Sequence, residues 1–192
     1  MRAHSENAAV QQQACAALWR LANMDRVTSA AAGGIGAVLE AMKRHKDSAG
    51  VQEQACGALW ALAIDNANKV TIAAAGGIEA VLEGMKAHKD SAAVQEKACW
   101  ALRALAINDD NKVTISAAGG IEAIAAAMTA HKGSAGVQEE ACSALYDLAG
   151  YAGLRERIKA AGGVELAKRA VSASDATERT KMFGEALLEK LA

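Results

Sequence analysis

Four cysteines stand at nearly equal intervals along the chain, Cys15, Cys56, Cys99 and Cys142, and three histidines at His45, His88 and His131. Thiols can pair as disulfides when their Cα atoms come within about 7 Å. With imidazoles they can hold zinc when the donors converge to roughly 2–2.3 Å from one ion. A second group suits recognition instead: Trp19, Trp60, Trp100, Arg103 and Tyr146 include every tryptophan in the chain. Large, stiff rings with a polar handle, and arginines, dominate binding hot spots. Which chemistry is open depends on the elements that position these residues.

Those elements repeat. Val10-Gln11-Gln12-Gln13-Ala14-Cys15 returns as Val51–Cys56, Val94–Cys99 and Val137–Cys142, at spacings of 41, 43 and 43 residues. A second marker, Gly-Gly followed by Ile or Val, recurs in phase at Gly33-Gly34, Gly76-Gly77, Gly119-Gly120 and Gly162-Gly163. Two phased markers, each present four times, establish internal repetition, which decides the architecture. Within a unit the apolar residues fall at helical spacing: Val51, Ala55, Ala58, Leu59 and Leu62 form one stripe. Ser48 or Asp47 suits the N-cap of that helix. A short helix carrying Val70, Ile72 and Ala73 follows the turn from Asp65 to Asn68. It ends at Gly76-Gly77, because glycine accepts the left-handed conformation of a sharp redirection. The next helix holds Ile78, Val81, Leu82 and Met85 and finishes in Lys86, His88 and Lys89, cations suited to a helix C-terminus. With 52% apolar residues, much of it alanine, and no proline anywhere, the chain reads as all-α.

Three helices in about 42 residues, a Gly-Gly hinge between the first two and a Val-Gln-Glu-x-Ala-Cys-x-Ala-Leu-x-x-Leu-Ala third helix resemble the armadillo repeat. The HEAT repeat has two helices per unit and no such hinge. The resemblance covers residues 10 to about 175 and implies a single right-handed α-solenoid over 1–192. Its expected parts are a lone third helix at 1–22, repeats at 23–64, 65–107, 108–149 and 150–175, and a capping helix at 176–192. The last segment, Glu178 to Leu191, departs from the motif and is charged, as the outer face of a terminal unit should be. The start has no comparable cap.

In the armadillo family third helices line a concave groove that receives peptides or partner surfaces. Copies differ there at Ala16/Gly57/Trp100/Ser143, at Trp19/Trp60/Arg103/Tyr146 and at Arg20/Ala61/Ala104/Asp147. The first and third of these sets lie four residues apart and share a helix face. Glu53, Glu96 and Glu139 add an acidic column that would favour basic ligands. The candidate binding set is therefore Trp19, Arg20, Glu53, Trp60, Glu96, Trp100, Arg103, Glu139, Tyr146 and Asp147. The alternative is that the rings pack between neighbouring helices and the glutamates are only solvated. Members that hold extended peptides by the backbone carry an Asn ladder, with Trp four residues before it. Here the Asn positions read Arg20, Ala61, Ala104 and Asp147, and only Trp100 matches the Trp position, so anchoring falls to side chains.

Other functions find little support. Equivalent cysteines on stacked helices would sit about 8–10 Å apart, too far for a disulfide or a shared zinc, and the histidine column fails the same test. The histidines read as solvated helix-end cations on a weakly basic ridge. No nucleophile elbow, phosphate-cradling loop or His-Glu-x-x-His is present, so neither an enzyme nor a cofactor is expected. A formal net charge of −1 lacks the basic excess of nucleic-acid binders. Neither a signal peptide at Met1–Glu6 nor a membrane span is expected, which points to the cytoplasm. The expected partner is a protein or extended peptide. The competing readings are an engineered or idealised scaffold without a ligand, and a self-associating solenoid; the chain is expected to be a monomer or to self-associate weakly through its repeat ends.

Overall fold

The computed structural model describes residue 1, residues 4–25 and residues 33–192, so the start of the expected 23–64 repeat, at 26–32, lies outside the described residues. Among the described residues the chain forms twelve α-helices and one 3-10 turn, without strands. First helices are α4 (Asn66–Ala74), α7 (Asp109–Ala117) and α10 (Arg155–Ala160). Second helices are α2 (Gly34–Arg44), α5 (Gly77–Ala87), α8 (Gly120–Ala130) and α11 (Gly163–Ser172). Third helices are α1 (Ala8–Met24), α3 (Ala49–Leu62), α6 (Ala92–Leu105) and α9 (Ala135–Ala149), and α12 (Glu178–Leu191) closes the row.

Local chemistry sets each boundary. The Oγ atoms of Ser48, Ser91 and Ser134 accept from the amides of Val51, Val94 and Val137, satisfying an orphan donor at the start of each third helix. Asp65 and Asn108 cap α4 and α7 in the same way. Gly33, Gly76, Gly119 and Gly162 take φ of 80–85°, the left-handed region that side chains rarely adopt. The glycine after each of the last three packs tightly: a Cβ on Gly77 would lie 2.8 Å from the Ile72 carbonyl oxygen, and one on Gly120 at the same distance from that of Ile115.

The third helices pack most closely on one another, whereas successive second helices touch sparsely. The array therefore curves about the third-helix row, which forms its inner wall. Between the rows Val51, Leu59, Leu62, Ile72, Ile78 and Val81 are fully buried, as are Leu102, Leu105, Ile115, Ile121 and Ile124 in the next unit. Each such side chain stabilises the fold by about 1.5–3 kcal/mol.

Two polar columns run through this core. Gln52, Gln95 and Gln138 are buried and donate from Nε2 to the carbonyls of Met42 and His45, Met85 and His88, and Met128 and His131. Gln11 does the same with Met1 and His4. The histidines are more than a solvated ridge. His45, His88 and His131 each place Nε2 2.6–2.8 Å from a carbonyl oxygen of the preceding unit, at Ser5, Lys46 and Lys89. The repeat spacing brings each ring against the preceding turn, so the column staples one unit to the next.

The ends of the row differ. Val10 and Leu21 are 37% and 52% exposed, while their equivalents Val51 and Leu62 are fully covered. The outer face of α12 instead presents Glu178, Lys181, Met182, Glu185 and Glu189. Among the described residues no single helix is long and apolar enough to cross a membrane.

Candidate functional site on the third-helix wall

Burial disposes of the cysteine column first. All four thiols are free and buried. Burial pushes Cys15, Cys56 and Cys142 up to about 12, and raises Cys99 further with help from the Glu140 carboxylate. A thiol so far from ionising is a poor nucleophile. Among the described residues no group of three His, Cys, Asp or Glu is placed to hold a metal ion. We expect no labelling of the native protein by a thiol reagent over minutes at pH 8, and four thiols per chain after denaturation. Rapid native labelling would show that the third helices separate readily.

Helical spacing projects the tryptophans along the inner wall, and there they meet. The rings of Trp60 and Trp100 stack at 4.4 Å with 12° between planes, and Trp19 meets Trp100 edge-on at 6.4 Å and 81°. Gly57 makes this possible: Trp19 lies across it, and a Cβ there would come 2.9 Å from the indole. Lys97 lies in the corner between two perpendicular rings, its Nζ 4.2 Å from the Trp100 centroid and 5.5 Å from that of Trp19. Glu96 holds the same ammonium at 2.8 Å. All three rings are half-buried, and the Trp19 Nε1 proton is buried without a partner.

The C-terminal half of the wall is polar and equally occupied. Arg103 bonds Glu140 at 2.8 Å and lies 3.9 Å from Asp147. Glu139 receives Arg179 at 2.8 Å and the Thr177 hydroxyl at 2.6 Å, so α12 closes over this part of the acidic column. Tyr146 packs on Phe183 at 5.6 Å, and Lys190 stands 3.5 Å over the Tyr146 ring. Of the remaining candidates, Glu53 accepts from Gln54, and Arg20 is exposed on α1. The structure thus gathers the candidates into an aromatic cluster and an ion network, with Arg20 and Glu53 outside both. Sequence comparison overlooked Lys97, Glu140, Arg179, Phe183 and Lys190. Lys97 and Glu140 carried a signal, since the column Gln13/Gln54/Lys97/Glu140 varies between copies. The others sit on or beside the non-repeating α12, where no copy exists for comparison.

Burial raises the Glu140 carboxyl above the usual carboxylate range, although Arg103, Arg179 and the Trp100 indole pull it back. Burial raises Asp147 likewise, against Arg103, Lys190 and Lys112. A carboxyl raised in the fold contributes stability that is complete below its unfolded pKa and fades as pH climbs through the folded one. Glu140→Gln removes that dependence. The urea midpoint of the variant relative to the parent should therefore be highest at pH 7 and fall as pH drops toward 4.5. A constant difference would mean that Glu140 is not perturbed.

No family model matches the chain, and no curated protein matches it. Solved structures do. An engineered protein from the Northeast Structural Genomics Consortium is similar with a TM-score of 0.83 at 27% identity, over 98% of this chain and 45% of that one. This chain therefore spans less than half of that protein's length. A designed armadillo repeat protein has a TM-score of 0.82 at 19% identity, over 94% and 75% of the two chains. A second engineered protein from the same consortium has a TM-score of 0.71 at 21% identity, over 98% and 92%. Likeness at such identity speaks to architecture, and it agrees with the glycine-hinged modules and the stacked third-helix row. The chain is an armadillo-type α-solenoid.

Proposed function

We propose that the chain is an idealised repeat scaffold of the engineered armadillo kind, without catalytic activity, whose inner-wall columns knit successive third helices together. The observation that carries this reading is that the large wall side chains already have partners within the chain: ring on ring at Trp60–Trp100, guanidinium on carboxylate at Arg103–Glu140, and Arg179 on Glu139. A hot spot in waiting would leave its rings and charges open. The similarity to engineered proteins supports the same reading.

A second reading is favoured by Lys97. Two perpendicular indoles and the Glu96 carboxylate already accept an ammonium, and a lysine from a basic peptide or protein segment would find the same cation–π geometry by displacing Lys97. Titrating a lysine-rich decapeptide while following tryptophan emission separates the two. The scaffold reading expects no saturable change up to millimolar peptide in either the parent or Lys97→Ala. Saturable binding that tightens about tenfold in Lys97→Ala would replace it with the peptide-binding reading.

A further inference from the structure

The junctions between successive second helices, on the face away from the inner wall, are not alike. Between α5 and α8 lies a cleft of about 750 Å³, against about 250 Å³ between α2 and α5. The difference arises at one helical position. Where α2 carries Glu40, α5 carries Glu83 and α11 carries Arg169, α8 carries Ala126. The α8 wall of the cleft is consequently alanine, including Ala123, Ala126, Ala127 and Ala130, and faces Leu82 and Met85 of α5.

The next junction shows what fills such a space. Across α8–α11 the Arg169 guanidinium reaches back 41 residues and donates to the Met128 carbonyl oxygen at 2.9 Å. That oxygen also accepts from Gln138, so both of its lone pairs are used. Met85 is the equivalent residue one unit earlier, and among the described residues its carbonyl accepts from one side chain, Gln95. The side chain that would bring the second donor is Ala126. Met85 is 3% exposed and lines the cleft. Glu79 and Glu83 stand on the rim of the cleft and pair with no cation among the described residues. Lys86 and Lys89 mark its other end.

We propose that the α5–α8 cleft is a binding site for small organic guanidinium compounds with an apolar body. The guanidinium takes the place that Arg169 holds one unit later, donating to the Met85 carbonyl oxygen with Glu79 and Glu83 supplying the counter-charge. The apolar body lies against the alanine wall. A cleft of this volume, largely apolar with a few convergent polar groups, has the general form of a small-molecule site.

Benzylguanidine is the test ligand, titrated into the full chain while methyl NMR follows Met85, Leu82 and Ala130. Saturable one-to-one shifts confined to these methyls are expected, with benzoate giving none. Ala126→Arg should supply the missing donor from within the chain and weaken binding at least tenfold. Ala126→Leu should fill the space without a donor and also lose binding. Residue 126 is exposed, and an unchanged circular dichroism spectrum confirms that both variants fold. The proposal is overturned if benzylguanidine does not bind, if benzoate binds as well, if the shifts appear at the tryptophan wall instead, or if Ala126→Arg and Ala126→Leu bind like the parent.

Discussion

Replacing Trp60 and Trp100 together by alanine is expected to lower the melting temperature by about 6–15 °C, at about 2–4 °C per kcal/mol for a chain of this size. Complete removal of a buried tryptophan costs about 3–5 kcal/mol, and these rings are only half-buried, so about 3–4 kcal/mol for the pair is reasonable. That sum contains the stacking of the two faces at 4.4 Å, worth about 0.5–1.5 kcal/mol, and the seat of Lys97 on Trp100. Each single variant leaves the other ring facing a gap, so the two single losses should exceed the double loss by about 1 kcal/mol. Thermal melts of the parent, both singles and the double provide the cycle. If the double variant melts within a degree or two of the parent, the rings do not knit the helices. The inner wall would then have to be regarded as an open binding surface.

Gly120→Ala should be more damaging than its single methyl group suggests, by about 2–3 kcal/mol, or roughly 5–10 °C. Glycine at 120 sits inside α8 with ordinary backbone angles, so strain at positive φ is not the cause. The new Cβ would lie 2.8 Å from the Ile115 carbonyl oxygen, a backbone atom that cannot rotate away. Relief requires α7 and α8 to separate, opening the core around Ile115, Ile121 and Ile124, all fully buried. Gly119→Ala provides the contrast. Its penalty is the left-handed backbone at φ 85°, about 1–2 kcal/mol, with no packing contact beyond the Glu122 side chain. Chemical denaturation of both variants should rank Gly120→Ala below Gly119→Ala. The reverse order would show that the hinge matters through its dihedral angles rather than through close packing.

The two members of each glycine pair were legible in sequence as a hinge, but not as two different devices. Their repetition identified a required backbone feature. That the first glycine supplies the dihedral angle and the second the space emerges only when Ile72 and Ile115 are brought beside them. The histidine column behaved similarly. Its regular recurrence was visible, yet its role depends on a carbonyl about 42 residues away, which no local pattern can name.

The wall residues mark the limit most clearly. Variation between copies singled out the columns holding Trp19, Trp60, Trp100, Arg103 and Tyr146, because positions required by the architecture match while others drift. The same comparison could not say whether these side chains face solvent or each other. A tryptophan in one unit meets its neighbour only if the residue between them is small, as at Gly57, and if the helices approach closely enough. A glutamate is free or paired according to whether α12 delivers Arg179.

By itself the sequence determined the helices, their caps and hinges, and the one-dimensional stacking. Those follow from periodicity and from the conformational needs of glycine, serine and alanine, which act within a turn or two of chain. Only the tertiary structure decided that Trp60 stacks on Trp100, that Arg103 and Arg179 meet Glu140 and Glu139, and that the α5–α8 junction lies open. All three depend on distances between side chains some 40 residues apart, and those distances are set by how far one module rotates upon the next.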